Sequence, residues 1–418
     1  MKVLWISNIV FPEVYASLLG KSSAGGSGGW LTSLAEEIKN DVELTVASPS
    51  DRVSKVTSVD MGGYVFILFP AGTGNIRYNK KYEPIWNTIR TMVQPDIVHL
   101  HGTEYSHGLA YIRACGTDNV VVSIQGVMTE IAKHYLGGLS NKEIFCNLTL
   151  RDVFKTTLWG EKQKAEQRAK SEPEILKLVK NVIGRTDFDH AHAMALNSDV
   201  RYFHCDEVLR EEFYTGQWKY ENCNPHTIFV SGSRYPLKGF HMLLKALPFI
   251  IRQYPDVIVR VAGSRGLEKD FRKKWSTSLT GYQKVIITLI KKMNLEKNVV
   301  FLGVLTAEKV KEELLKANVF ISTSSNENSS NAIGEAQLLG IPCLASYVGG
   351  TSDMIPNSAC GELYNYFDTK VLAYKVCKIF KNSSSFDNSN MIFHAKKRHD
   401  KDIIKSTLLN IYSQIIEG

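Results

Sequence analysis

The stretch NENSSNAIGEAQLLGIP, residues 326–342, places Glu327 and Glu335 seven intervening residues apart. An apolar strand candidate at 319–322 leads into it through a polar loop, and beyond the loop Ala332, Ala336 and Leu339 recur at helical spacing. One carboxylate therefore stands before a helix and the other within its first turns. Asn328, Ser329 and Ser330 are natural helix caps, and a helix start offers unpaired N–H groups and a positive dipole end to a phosphate. A phosphate site beside two carboxylates that can hold hydroxyls points to a sugar nucleotide. An isolated pair of glutamates at this spacing is usually an exposed helix residue and a loop charge. Here the strand, the Ser/Asn loop, the helix, Gly340-Ile341-Pro342 and the Gly349-Gly350 turn supply the context.

A chain of 418 residues implies two domains of about 200 residues each. A hydrophobic content of 44% with 22% charged residues describes a globular protein. No apolar run reaches the roughly 18 residues of a membrane span. The apolar start at 3–6 is short and is broken by Ser7 and Asn8, so it reads as a first strand and not as a signal peptide. The expected location is cytoplasmic, with peripheral attachment to the inner face of the membrane. Seven cysteines without a C-x-x-C pair argue against a zinc site or a disulfide framework. The net charge of +8 suits an anionic membrane surface or phosphorylated ligands, and no sequence motif supports nucleic acid as a partner.

Strand candidates at 2–7, 42–47, 64–69, 97–101 and 120–125 alternate with helical stretches, as do a second set at 227–230, 257–262, 299–302, 319–322 and 343–345. Such alternation predicts an α/β fold with two doubly wound parallel sheets. The predicted boundaries are a first domain at 1–205 carrying a helical insertion at 140–183, a linker at 206–226, a second domain at 227–395, and a final helix at 396–418 that packs back on the first domain. The insertion has Cys146, Leu150, Val153, Phe154 and Leu158 on one face, then Ile175, Leu178, Val179 and Val182, and more basic than acidic residues. It could rest on anionic lipid or pack its own domain. Residues 197–225 read as a connector anchored by aromatics.

The first strand runs into a glycine loop at 23–29 and then a helix, so backbone can approach a ligand there. His99 and His101 fall at the C-terminal end of a strand, where ligands meet open α/β sheets. Asp187-Phe188-Asp189 is a weak metal signal that leads into a strand-like 194–196. In the second domain the turn 231–239 puts Arg234 and Lys238 at a strand end, and a guanidinium fork with an ammonium suits a diphosphate.

Taken in order, these motifs resemble the retaining family-4 glycosyltransferases, which have the GT-B fold of two Rossmann-like domains facing a deep cleft. The matches are Gly25-Gly26 eight residues before Leu34, the element 96–102 ending His-Leu-His-Gly, the turn with Gly232 and Lys238-Gly239, the strand end Phe301-Leu302-Gly303, and the pair Glu327 and Glu335. The resemblance implies that Glu327, Lys238 and Arg234 act in catalysis. It further implies that Gly25, Gly26, Gln125, Gly232, Gly303, Asn331 and Glu335 bind the donor, Glu335 through the ribose hydroxyls, and that His101 and Glu104 face the acceptor. Two positions depart from the pattern. Ser233 stands where an arginine is usual, with Arg234 one later, and Gln125 occupies a stretch where many members have a histidine.

The implied reaction is transfer of a hexosyl unit from a nucleotide-diphosphate sugar, a UDP-sugar ahead of a GDP-sugar, to a hydroxyl of a glycan or lipid-linked acceptor in bacterial surface polysaccharide synthesis. Configuration is retained, and no metal and no cofactor are needed. Cations at the leaving diphosphate stabilise its developing charge while the leaving phosphate takes the acceptor's proton. A sugar-nucleotide epimerase of the same fold and a non-catalytic sugar-nucleotide-binding protein are the alternatives.

Overall fold

The computed structural model describes residues 1–19, 28–71, 78–263, 266–267 and 279–418. The chain divides into two compact units. One comprises Met1–Thr129, Lys164–Leu209 and Arg398–Gly418, the other Glu130–Gln163 and Arg210–Lys397.

Among the described residues the first unit holds eight strands: β1 (Lys2–Ile6), β2 (Glu43–Ser50), β3 (Thr57–Asp60), β4 (Tyr64–Pro70), β5 (Ile97–His101), β6 (Val120–Ser123), β7 (Asn181–Gly184) and β8 (Arg201–His204). They lie in the order β3-β4-β2-β1-β5-β6-β7-β8. All pairs are parallel except β3 with β4. The central strands are mostly apolar and buried, as strands covered by helices on both faces are, and Leu4, Ile6, Leu100, Val122 and Val182 form the core with Phe69 and Trp86. Strand β3, reading TSVD, has no apolar run and alternates between half-buried and exposed, so its sequence carries little strand signal.

The second unit holds β9 (Thr227–Val230), β10 (Ile258–Ala262), β11 (Val299–Gly303), β12 (Val319–Ser322), β13 (Cys343–Ser346) and β14 (Glu362–Tyr364), in the order β11-β10-β9-β12-β13-β14. Every pair is parallel. Its core is built on Ile228, Val259, Ile321 and Leu344, with Leu243 and Val376 from covering helices.

Four boundaries differ from those predicted. Residues 140–163 of the expected first-domain insertion belong to the second unit, and the physical reason is a dense set of bonds. His241 Nε2 and the Tyr366 hydroxyl both bond the Gly137 carbonyl, at 2.8 and 2.7 Å. The Lys245 ammonium meets Glu143 at 2.8 Å, Lys284 donates to the Leu148 carbonyl at 2.8 Å, and Ile144 and Leu158 enter the second core. The remainder of that insertion stays in the first unit, but Val182 lies in β7 and not on a helix face. The strand-like 194–196 closes the helix Asp187–Leu196, because Thr186 caps that helix by accepting from the Asp189 N–H. The connector at 197–225 contributes an eighth strand, since Arg201–His204 pairs with β7, and the chain changes units after Leu209.

The helix Lys401–Glu417 belongs to the first unit. Its buried Tyr412 hydroxyl accepts from Trp5 Nε1 at 2.9 Å and bonds His99 Nδ1 at 2.7 Å, which ties the chain's end to β1 and β5.

Candidate functional site

In the second unit the strand order runs outward from β9 in both directions, to β10 and β11 on one side and to β12, β13 and β14 on the other. The switch point of the sheet therefore lies between β9 and β12, and ligands of open α/β sheets bind at such points beyond the strands' C-terminal ends. The loops leaving these two strands carry the predicted residues.

The turn after β9 passes through Pro236–Lys238 and reverses at Gly239, whose φ is +62°. A Cβ at Gly239 would fall 1.7 Å from the Thr323 carbonyl oxygen, so only glycine lets the two loops close. Thr323 Oγ1 donates to the Lys238 carbonyl at 2.8 Å, and the Ser325 N–H donates to the Leu237 carbonyl at 2.8 Å. Stitched in this way, the loops bring the Lys238 ammonium into an ion pair with Glu327. Ser324 Oγ donates to the same carboxylate oxygen, Glu327 Oε1, at 2.7 Å. The Gly350 N–H holds the Glu327 carbonyl at 3.1 Å, and Ser346 Oγ holds the Ser324 carbonyl at 2.5 Å. Burial pulls the Lys238 ammonium down, and the Glu327 carboxylate more than reverses this, so its pKa is raised.

Ser330 stands at the N-cap of the helix Asn331–Leu339 without a side-chain cap bond, so the side-chain capping expected of that serine is not made. Asn331 opens the helix and Glu335 lies one turn inside it. Glu335 is buried, and both its oxygens are taken by Arg210, from Nε and Nη2, each at 2.7 Å. Burial pushes the Glu335 carboxyl up while Arg210 pulls against it. A carboxylate has about four lone-pair sites, so two bonds to Arg210 leave capacity for ligand hydroxyls. The Arg210 guanidinium also lies 4.7 Å from the Phe213 ring centroid. Sequence reasoning passed over Arg210 because it falls in what read as a connector.

Gly232 lies beside the Lys238 stem, where a Cβ would meet Lys238 Cγ at 3.7 Å. Ser233 is buried in the turn, whereas Arg234 is exposed and is not drawn into the Lys238–Glu327 contact. Gly303 ends β11 with φ +73°, and its carbonyl accepts from the Gly263 N–H at 2.7 Å. Gly25 and Gly26 lie outside the described residues.

The first unit gathers a second group at the C-terminal ends of β5, β6 and β7. Trp30, His101, Ser123, Gln125, Arg185 and Glu207 line one small cavity. His101 is 4% exposed, stacks on His99 at 3.8 Å between ring centroids, and has no hydrogen-bond partner at either ring nitrogen among the described residues. Burial lowers its pKa well below the usual range, so the ring is neutral. Gln125 is oriented by Arg185, whose Nη2 donates to its main-chain carbonyl at 3.1 Å and to Oε1 at 3.4 Å. Arg185 is buried and paired with Glu207 at 2.5 Å. Sequence reasoning also missed Glu172. Its buried carboxylate accepts from Thr103 Oγ1, the Met128 N–H and the Thr129 N–H at 2.8 to 2.9 Å, which pins the loops after β5 and β6 together.

Glu104 curls back over Gly102, where a Cβ would fall 1.9 Å from Glu104 Oε2. Burial above all, helped by the Glu172 carboxylate, pushes its carboxyl up from 4.5 to about 7. A carboxyl with a raised folded-state pKa stabilises the fold below its unfolded value, and that contribution is lost as pH rises through the folded value. Replacing Glu104 with Gln should therefore leave stability unchanged near pH 4.5 and raise it progressively up to about pH 7, by on the order of 3 kcal/mol at most. Thermal melts across this range check it, and a constant offset between variant and parent would refute the assignment.

Among the described residues no group of three or more His, Cys, Asp or Glu side chains could hold a metal ion. Asp189 instead accepts from the Arg185 N–H at 3.0 Å and from the Tyr202 hydroxyl at 2.6 Å.

Residues 218–398, the span that carries the switch point, match the family model of glycosyl transferases group 1. Over this span the chain resembles that family. Among its relatives is a subunit of phosphatidylinositol N-acetylglucosaminyltransferase from Saccharomyces cerevisiae, 23% identical over 342 residues, covering 79% of this chain and 66% of the relative. The chain thus spans about two thirds of the length of that relative. Sucrose-phosphate synthase from Thermosynechococcus elongatus superposes with a TM-score of 0.74 at 16% identity, over 99% of both chains. The Anabaena protein HepE, solved in complex with UDP and glucose, gives a TM-score of 0.64 at 16% identity over 99% of both chains. These likenesses show the GT-B fold.

Proposed function

We propose that the protein transfers a hexosyl unit from a nucleotide-diphosphate sugar to a hydroxyl of a glycan or lipid-linked acceptor, with retention of configuration and without an essential metal, in the synthesis of a bacterial surface polysaccharide. The observation that carries this reading is the meeting of Lys238 and Glu327 at the switch point between β9 and β12. One cation and one carboxylate held together there suit a reaction in which the leaving diphosphate gains negative charge as the sugar gains positive charge. The Lys238 ammonium binds the former and the Glu327 carboxylate faces the latter, each oriented beforehand by loop hydrogen bonds. Arg234, exposed on the same turn, is free to swing to the diphosphate. The helix start at Asn331 adds N–H donors for phosphate oxygens, and Glu335, steadied by Arg210, takes the ribose hydroxyls.

In the first unit His101 and Glu104 face the acceptor and Gln125 approaches the donor sugar. The neutral His101 ring, with both nitrogens unpartnered among the described residues, can accept from a hydroxyl without carrying charge. Two relatives support the choice of donor: HepE was solved with UDP, and the yeast relative is named for N-acetylglucosaminyl transfer to phosphatidylinositol. A UDP-hexose or UDP-N-acetylhexosamine is accordingly the proposed donor.

A thermal-shift screen with UDP, GDP, ADP and their sugars tests the reading. A ligand at a hundred times its Kd adds about 2.7 kcal/mol to stability, so UDP and UDP-sugars should raise the melting temperature by several degrees. No shift with any nucleotide would remove the donor assignment.

A further inference from the structure

The apolar residues of 141–155 do not all turn inward. Phe145 is 68% exposed, Leu150 54%, Val153 73% and Phe154 85%. These are four large apolar side chains within ten residues, and clustered apolar exposure on this scale marks an interaction site more often than ordinary surface.

The segment is not a loose loop. It forms two short helices, Asn141–Cys146 and Leu150–Phe154, each opened by a capping box, Ser140 with Glu143 and Thr149 with Asp152. Thr149 Oγ1 donates to the Leu279 carbonyl at 3.0 Å, and Thr288 Oγ1 donates to Asn147 Oδ1 at 2.6 Å. Inner side chains anchor it, and outer ones are left in water.

Charge is sorted in the same way. Both acids of the segment are engaged on the inner side: Glu143 pairs with Lys245, and the buried Asp152 accepts from the Gly281 N–H at 3.1 Å. Lys142 and Lys155 stand exposed beside the apolar side chains. The outer face is thus apolar with a cationic border and presents no carboxylate of its own segment. Phenylalanine and leucine bordered by lysine match the boundary of an anionic bilayer, where apolar side chains enter the acyl region and ammonium groups meet lipid phosphates. No helix among the described residues is long and apolar enough to cross a membrane, so such a face could seat the protein only at the surface.

We propose that this face, Phe145, Leu150, Val153 and Phe154 with Lys142 and Lys155, docks the protein on an anionic lipid surface. The proposal stands apart from the transfer reading, because it rests on a separate patch and is measured without donor or activity.

Co-sedimentation of the full chain with phosphatidylcholine vesicles, with and without phosphatidylglycerol, tests it. Binding should require phosphatidylglycerol and weaken with salt. The double substitution Phe145→Ser with Phe154→Ser should lower the bound fraction about tenfold or more, from the apolar area withdrawn. Lys142→Glu with Lys155→Glu should abolish the dependence on phosphatidylglycerol. All four positions are exposed, so a melting temperature equal to the parent's confirms that each variant is folded. Equal binding by parent and serine variant overturns the proposal, as does an absence of binding by the parent. A concentration-dependent dimer that the serine variant abolishes, with no vesicle binding, would assign the face to a second copy of the chain and overturn it as well.

Discussion

Glu327→Gln should bind a UDP-sugar donor with near-parental affinity and transfer the sugar about 10²-fold more slowly or worse, the scale seen when one preorganised electrostatic group is removed. Glutamine keeps the size of the side chain and can still accept from Ser324 Oγ, which holds Glu327 Oε1 at 2.7 Å. What disappears is the negative charge, and with it the partner of the Lys238 ammonium. A charge beside a sugar that becomes cationic only at the transition state affects turnover more than ground-state binding. The measurement is kcat and KM for transfer, with donor affinity from a titration. A folded variant that transfers at an undiminished rate would show that Glu327 is an ordinary loop carboxylate whose contact with Lys238 is only structural.

The sequence carried the sheets well, because the central strands are buried on both faces and read as short apolar runs whose ends coincide with turn residues. It also carried Lys238 and Glu327, since each sits at a strand end in a loop with its own glycine or serine signal. Their contact was not legible, because it depends on β9 and β12 being neighbours although Lys238 and Glu327 lie 89 positions apart in sequence. The partner of Glu335 was hidden for a similar reason: Arg210 lies 125 positions away in a segment without periodicity. The destination of residues 140–163 was the clearest misreading. Amphipathic spacing tells that a face will be buried, but not against which unit. The ties that decide it are single polar bonds, such as His241 to the Gly137 carbonyl, with no sequence pattern. The same spacing gave the wrong inner face in part, since Phe154 and Val153 were placed with Leu158 and only Leu158 is buried.

Lys238→Ala should lose about 10²-fold or more in kcat, with a smaller change in KM, because the ammonium is matched to charge that develops on the departing diphosphate. Its side chain fills no hydrophobic core, and the neighbouring loop bonds, Thr323 Oγ1 to the Lys238 carbonyl and the Ser325 N–H to the Leu237 carbonyl, use main-chain acceptors that alanine retains. The variant is therefore expected to fold. Removing the ammonium also frees Glu327, which then keeps, among the described residues, Ser324 as a side-chain partner, so part of the loss is an indirect effect on the carboxylate. The double variant Lys238→Ala with Glu327→Gln separates the two contributions. Residues in direct contact are not additive, and the double variant should be less impaired than the product of the two single losses. Excess EDTA should leave parental transfer unchanged, since the leaving-group charge is assigned to side chains. Losses that multiply would show that the two groups act independently, and abolition by EDTA with rescue by Mn²⁺ would transfer Lys238's assigned role to a metal ion.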